Sequence, residues 1–180
     1  ESTNTGAVYI FIRTGTTWTE QQKITASDGT TEDYFGDAVS ISADGLYAIA
    51  AANRAGTGGK VYIFARSGTT WNEQKILIAS DAATNDYFGY SVSISADGSY
   101  AIVGAYGKNT EAGVAYTFIR SGTTWNEQQI LRASNAADND YFGYAVSISA
   151  NGQYATVGAH GDESDTGATY VFVRSGTTWT

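Results

Sequence analysis

Residues 87–105 read Tyr-Phe-Gly-Tyr-Ser-Val-Ser-Ile-Ser-Ala-Asp-Gly-Ser-Tyr-Ala-Ile-Val-Gly-Ala. Phe88, Tyr90, Val92 and Ile94 alternate with Gly89, Ser91, Ser93 and Ser95, which is the two-residue period of a strand with unlike faces. This is strand A. Asp97-Gly98 follows, a dipeptide suited to a two-residue type I′ hairpin turn because both positions take positive φ. Residues 100–105 are small and apolar on both faces, as a strand covered on both sides requires, and form strand B. In residues 113–120 Tyr116 and Phe118 share one face of strand C, and Arg120 closes that strand on the same parity. Ser121-Gly122-Thr123 turns the chain into a more polar strand D, opened by Trp125. The D, A and C segments carry no 3.6-residue apolar stripe, so helices are not expected.

The same order recurs. Thr-Thr-Trp places its indole at Trp18, Trp71, Trp125 and Trp179, and Tyr-Phe-Gly starts at Tyr34, Tyr87 and Tyr141. Self-similarity at such a period marks a repeat architecture. The expected division is a partial repeat at 1–33 holding strands C and D, repeat 1 at 34–86, repeat 2 at 87–140, and repeat 3 at 141–180, which lacks most of strand D. Residues 1–19 match residues 162–180, as expected of a window cut from a longer array. A four-stranded unit that is apolar on both faces must be packed against neighbours. The fold class is therefore all-β, built from propeller-type blades of four antiparallel strands.

Composition narrows the partners. With 18 acidic and 10 basic residues, the net charge of -8 repels phosphate backbones and anionic membrane surfaces, so neither nucleic acid nor membrane insertion is expected. The chain has no cysteine, which excludes a disulfide framework, a Cys/His zinc site and a thiol nucleophile.

The run Phe-Gly-Tyr-Ser-Val-Ser-Ile-Ser-Ala-Asp-Gly at 88–98, then Val-Gly-Ala at 103–105, then Gly-x-x-Tyr-x-Phe at 113–118, resembles the FG-GAP repeat of integrin α-subunit propellers. The resemblance covers essentially the whole chain. It implies a propeller, usually of seven blades, and it implies calcium in the A–B hairpin, bound by an Asp-x-Asp-x-Asp-Gly-x-x-Asp loop. Here the aligned positions are Ser93, Ser95, Asp97 and Ala101, with Ser40, Ser42, Asp44 and Ala48, and Ser147, Ser149, Asn151 and Ala155, in the other units. A lone carboxylate cannot supply the oxygens and charge that calcium needs, so no cofactor is expected.

No catalytic constellation stands out, and the reading is non-enzymatic. His160 is the only histidine, and Asn53 and Tyr106 occupy its slot in the other units, which marks a surface loop. Asp81/Asp86 and Asp138/Asp140 recur in every D–A loop and read as solvated turns. The repeated aromatics read as repeated core, with sugar stacking as the alternative, and Arg13, Arg66, Arg120 and Arg174 as stacking or snorkelling structural groups. The units differ most in their B–C loops, so the candidate partner-binding residues are Asn53, Arg54, Tyr106, Lys108, Asn109, Glu111, His160, Asp162, Glu163 and Asp165. The function expected is an extracellular, cell-surface or particle-surface structural and adhesive protein that offers variable loops to protein or glycan partners. The alternatives are an architectural subunit that self-associates end to end into a filament, and a carbohydrate-binding propeller or accessory module of a larger enzyme.

Overall fold

The computed structural model describes residues 4–162 and 166–180. The chain opens with the antiparallel pair β1 (Val8–Thr14) and β2 (Thr17–Ile24). Three four-stranded meanders follow. The first is β3 (Val39–Ile41), β4 (Tyr47–Ala52), β5 (Lys60–Ser67) and β6 (Thr70–Leu77); the second is β7 (Ser91–Ile94), β8 (Tyr100–Ala105), β9 (Val114–Ser121) and β10 (Thr124–Leu131). The third is β11 (Ala145–Ile148), β12 (Tyr154–Ala159), β13 (Ala168–Ser175) and β14 (Thr178–Trp179). All neighbours within a sheet are antiparallel. The all-β blades read from the sequence, strands A to D in order, are what the structure contains.

Strand alternation divides each blade's side chains between two layers. In blade 2, Ala101, Val103, Val114, Tyr116 and Phe118 face blade 1 and join Ile49, Ala51, Val61 and Ile63 in one core. Ile102 and Ala115 face the other way, into a core shared with Ala155, Val157 and Phe142 of blade 3. No blade therefore has a core of its own.

Two recurring joints lock the layers. The first is made by Phe35, Phe88 and Phe142. Phe88 is fully buried, edge-on to Tyr116 at 5.3 Å and to Phe118 at 6.0 Å, while its amide donates to the Gly58 carbonyl of blade 1 at 2.7 Å. Phe142 repeats this with its amide on Ala112 O at 3.0 Å, and forms a parallel bridge with Gly113. The approach is so close that a Cβ on Gly113 would lie 2.0 Å from Phe142 O, and Gly113 also holds φ +79°, so only glycine fits there.

The second joint runs along the D strands. The Gln129 side chain donates to Trp179 O at 2.9 Å and accepts from the Trp179 amide at 2.8 Å, while the Trp179 indole donates to Gln128 Oε1 at 3.0 Å. Gln21 and Gln22 hold Trp71 in the same way. Trp71, Trp125 and Trp179 are buried, whereas Trp18, without a D strand against it, is 64% exposed. Arginine adds a third contact: Arg120 lies 4.1 Å over the Tyr47 ring and Arg174 4.1 Å over Tyr100, each with its Nε donating to the A–B turn of its own blade.

The structure departs from the sequence reading in three places. Strand A starts at Ser91, because Tyr87 to Tyr90 form a turn, with Tyr87 at φ +55° and the Tyr90 amide on Tyr87 O; the demand of the Phe88 amide for a partner in blade 1 overrides the alternation. The A–B turn is not a two-residue type I′ turn. Ser95 pairs with Tyr100 across four loop residues, and of Asp97 and Gly98 only Gly98 has positive φ. Finally, the B–C loop of blade 2 contains the single-turn element α1 (Lys108–Glu111), where no helix is expected. Its Asn109, Thr110 and Glu111 are left-handed, and its backbone closes through Ala112 N on Asn109 O and Gly113 N on Lys108 O.

The D-strand joint has one gap. Lys75 stands where Gln22 and Gln129 stand in the other repeats, and the Trp125 indole alone is held, by Gln74 at 3.3 Å. Lys75→Gln restores the paired amide contact to the Trp125 backbone and is expected to raise stability by about 0.5–1.5 kcal/mol. The urea midpoint measures this, and an unchanged or lower midpoint contradicts the joint.

Candidate functional site

The D–A and B–C loops meet at one end of the blades, where the repeats diverge. Tyr34, Tyr87 and Tyr141 all sit there in the left-handed region, at φ 59°, 55° and 57°, and each stacks under a residue of its own B–C loop. Tyr87 lies flat on Tyr106, with centroids 5.2 Å apart and planes at 6°. Tyr141 lies under His160 at 4.7 Å and 14°. Tyr34 carries Arg54 in their place, with the guanidinium 4.8 Å above its ring. Tyr90 and Tyr144 join the stacks edge-on: Tyr90 to Tyr106 at 4.5 Å, Tyr90 to Tyr144 at 4.7 Å, and Tyr144 to His160 at 4.5 Å. The result is a continuous, half-exposed aromatic ribbon across blades 2 and 3.

Blade 1 interrupts the ribbon. Asp37 occupies the slot of Tyr90 and Tyr144, and Asn53 that of Tyr106 and His160. Asn53 is buried and donates its amide to Asp37 Oδ2. Where two rings would sit there is instead a cleft of about 420 Å³ between blades 1 and 2, lined by Tyr34, Asp37, Asn53, Arg54, Tyr87, Tyr90 and Tyr106. The Tyr144 hydroxyl and burial push Tyr90 up to about 12, and burial and then the neighbouring Tyr87 raise Tyr106. These phenols are uncharged at ordinary pH and serve as flat apolar surfaces with a hydroxyl edge.

The FG-GAP repeat is matched at residues 18–64, 71–118 and 125–172. The chain belongs to the FG-GAP repeat family. Each FG-GAP match begins at the Trp of one blade's D strand and ends in strand C of the next, so the family unit spans the joint between blades. No curated sequence matches the chain significantly. Among solved structures it is similar to a protein of Bacteroides uniformis provisionally named as a 6-phosphogluconolactonase, with a TM-score of 0.62 and 14% identity over 97% of this chain and 46% of that one. A protein of Bacteroides fragilis with the same provisional name gives a TM-score of 0.56 and 20% identity, over 79% of this chain and 36% of that one. The chain spans less than half the length of either, and at such identity the likeness is one of fold.

The FG-GAP resemblance implies calcium in the A–B hairpins, and the residues present do not fit the ion. Ser95 Oγ donates to Asp97 Oδ1 at 2.8 Å and accepts the Ser99 and Tyr100 amides at 3.1 and 3.0 Å; Asp97 accepts the Ser99 amide at 3.0 Å and its hydroxyl at 2.7 Å. Ser42/Asp44 and Ser149/Asn151 are engaged in the same way. Ser40 and Ser93 accept the amides of Ile94 and Ile148 from the next blade. The hydroxyls that replace the family's carboxylates thus close the turn internally and tie blade to blade. Among the described residues no group of three or more His, Asp or Glu side chains is placed to hold a metal ion.

Several loop candidates face inward. Lys108 is buried, with Nζ 2.8 Å from Asp86 and 3.4 Å from Asp81, and it also donates to the Asp81 carbonyl. Tyr116 donates to Asp81 at 2.6 Å. Blade 1 builds the same cluster from Asp28, Tyr62 and Lys60, the lysine being 2.6 Å from Asp28. Blade 3 inverts it: Asn135 replaces the aspartate, and buried Asp162 replaces the lysine, accepting from Asn135 at 2.9 Å and from Tyr170. The exchange of both charged partners keeps the cluster matched. Contrary to the reading of solvated turns, Asp33, Asp86 and Asp140 are buried and cap their own D–A turns through the amides of Thr30, Ala83 and Ala137, each at 2.7 Å; Asp138 is exposed. Arg54, Asn109 and His160 are exposed, Tyr106 and Glu111 half-buried, and Glu163 and Asp165 lie outside the described residues. The ribbon members Tyr87, Tyr90, Tyr141 and Tyr144, and Asp37, were not singled out from the sequence. The departure of Asp37 from the Phe-Gly-Tyr pattern was the available signal.

These clusters set an acid dependence. The hydrogen bond from Lys60, and then that from Tyr62, hold Asp28 below the ordinary carboxylate range; burial raises Asp81, but Tyr116 and Lys108 outweigh it and leave it lowered too. A carboxylate with a depressed folded pKa contributes stability above its unfolded value of about 3.9 and loses it as pH falls through the folded value. The urea midpoint is expected to fall as the pH drops below about 5 and on through the lowered folded-state values, and to fall less steeply in Asp28→Asn/Asp81→Asn. Equal slopes contradict the assignment.

Proposed function

We propose that the chain is a non-enzymatic, surface-exposed FG-GAP module that works as an adhesive scaffold, presenting the loop end of its blades to protein or glycan partners outside the cell. The observation that carries this reading is the aromatic ribbon from Tyr87 to His160. Large rings with polar tips are the side chains most enriched in recognition surfaces, because they offer much contact area at small entropic cost. Phe88, Tyr116 and three of the four tryptophans are buried in the joints, whereas Tyr9, Phe11, Trp18 and Tyr154 are exposed outside the ribbon. No helix among the described residues is long and apolar enough to cross a membrane.

The test is surface plasmon resonance of the chain over immobilised mucin and immobilised gelatin. Saturable binding to at least one surface is expected, weakened about tenfold or more by Tyr106→Ala/Tyr144→Ala/His160→Ala and unaffected by Asn126→Ala on the outer D strand. Binding to neither surface, or equal loss in both variants, overturns the proposal.

A further inference from the structure

We infer that the cleft between blades 1 and 2 is a saccharide-binding site, with Tyr87, Tyr90 and Tyr106 as the stacking wall and Asp37, Asn53 and Arg54 as the hydroxyl-recognising edge. This deepens the proposed binding role and rests on it. Three features of the cleft support the assignment.

The first is its origin. At the joint between blades 2 and 3, the corresponding slots hold Tyr90, Tyr106, Tyr144 and His160, whose rings fill the space against one another. At the joint between blades 1 and 2, two of these slots, 37 and 53, are given to short polar residues. The space is therefore a local departure from an otherwise repeated packing, and it is bounded on one side by the end of the ribbon.

The second is the chemistry of the lining. The wall is phenolic, and neither an aliphatic side chain nor a lysine lines the cleft. An apolar peptide anchor would find no aliphatic counterpart there. A pyranose instead presents a C–H face that lies on an aromatic ring and an equatorial edge of hydroxyls, each both donor and acceptor. Asp37 meets such an edge well. Its Oδ2 is fixed by the Asn53 amide, so the carboxylate is oriented in advance, while Oδ1 has no hydrogen bond among the described residues and stands as an acceptor at an exposed position. Arg54 brings guanidinium donors to the same cleft from its seat over Tyr34. A carboxylate beside a guanidinium pairs with adjacent hydroxyls as acceptor and donor.

The third is preorganisation. Asn53 is buried, Tyr106 is clamped between Tyr87 and Tyr90, and Arg54 is stacked, so little side-chain freedom remains to be lost on binding. The volume of about 420 Å³ falls within the range of small-molecule sites. The occupant is a neutral saccharide, since Asp37 lies in the cleft and the chain carries a net charge of -8.

Saturation-transfer NMR on the whole chain tests this, with methyl α-mannoside, methyl β-glucoside, methyl β-galactoside and methyl N-acetyl-β-glucosaminide as probes. At least one glycoside is expected to receive saturation. Its affinity is expected to fall about tenfold in Tyr106→Ala, and in Asp37→Tyr/Asn53→Tyr, which rebuilds the ring-filled joint of blades 2 and 3. Asp37→Asn, which changes one oxygen for an amide and leaves the volume intact, is expected to weaken binding as well and guards against a folding defect in the double variant. No response from any of the four glycosides, or a response that survives Tyr106→Ala and Asp37→Asn, overturns the saccharide site. If the glycosides are silent while the ribbon still governs retention on gelatin or mucin, the saccharide assignment alone fails and a protein partner takes its place; loss of both removes the binding role as well.

Discussion

Each blade is held by a residue that belongs to two blades at once. Phe88 places its ring on Tyr116 and Phe118 of its own sheet and its amide on the Gly58 carbonyl of the sheet before it, and Phe142 does the same one repeat later. An amide buried without a partner costs about 1–3 kcal/mol, so the ring cannot be seated unless the preceding loop end is in place. That loop end in turn must be glycine, because the Phe carbonyl lies where a Cβ would be. The Trp–Gln contacts along the D strands and the Arg–Tyr stacks repeat the same logic at the outer edge and at the opposite end of the blades. Stability is thus distributed over interfaces between units, as in other repeat architectures.

Once the joints are fixed by Phe, Gly, Trp and Gln, the remaining positions are free to differ, and they do so at the loop end. The polar cluster around the Tyr62, Tyr116 and Tyr170 hydroxyls shows how far substitution can go. Asp and Lys in two blades become Asn and Asp in the third, and the hydroxyl still finds its acceptor. A buried polar group needs a partner, and either charge pattern supplies one. The same latitude, exercised at positions 37 and 53, replaces aromatic packing by a cleft. Repetition and variation therefore divide the molecule into a repeated frame and a variable loop end.

The frame was legible in the sequence. Period-two alternation pointed to strands A to D, and the recurrence of Trp and of Tyr-Phe-Gly showed the repeat. Their phase also hid something. Phe88 fits the alternation of strand A, yet its backbone leaves the ladder to reach blade 1, and a one-dimensional pattern cannot distinguish a ring on a strand from a ring on a hook. Asp97-Gly98 satisfies the composition of a tight turn, but Ser95 and Asp97 offer side-chain acceptors to the following amides and draw the loop out to four residues. Loop variability did not separate buried from exposed members: Lys108 and Asp162 vary because they compensate partners beneath them, whereas Arg54 and His160 vary at the surface.

Native-state hydrogen exchange on Phe88→Ala tests the joint most directly. Removing a fully buried phenylalanine costs about 3–5 kcal/mol. Because the hook belongs to both sheets, protection is expected to fall together in β5 of blade 1 and β9 of blade 2, while β13 of blade 3 keeps more of its own. Loss confined to blade 2, with β5 as protected as in the parent chain, would contradict a fold held together by residues shared between blades.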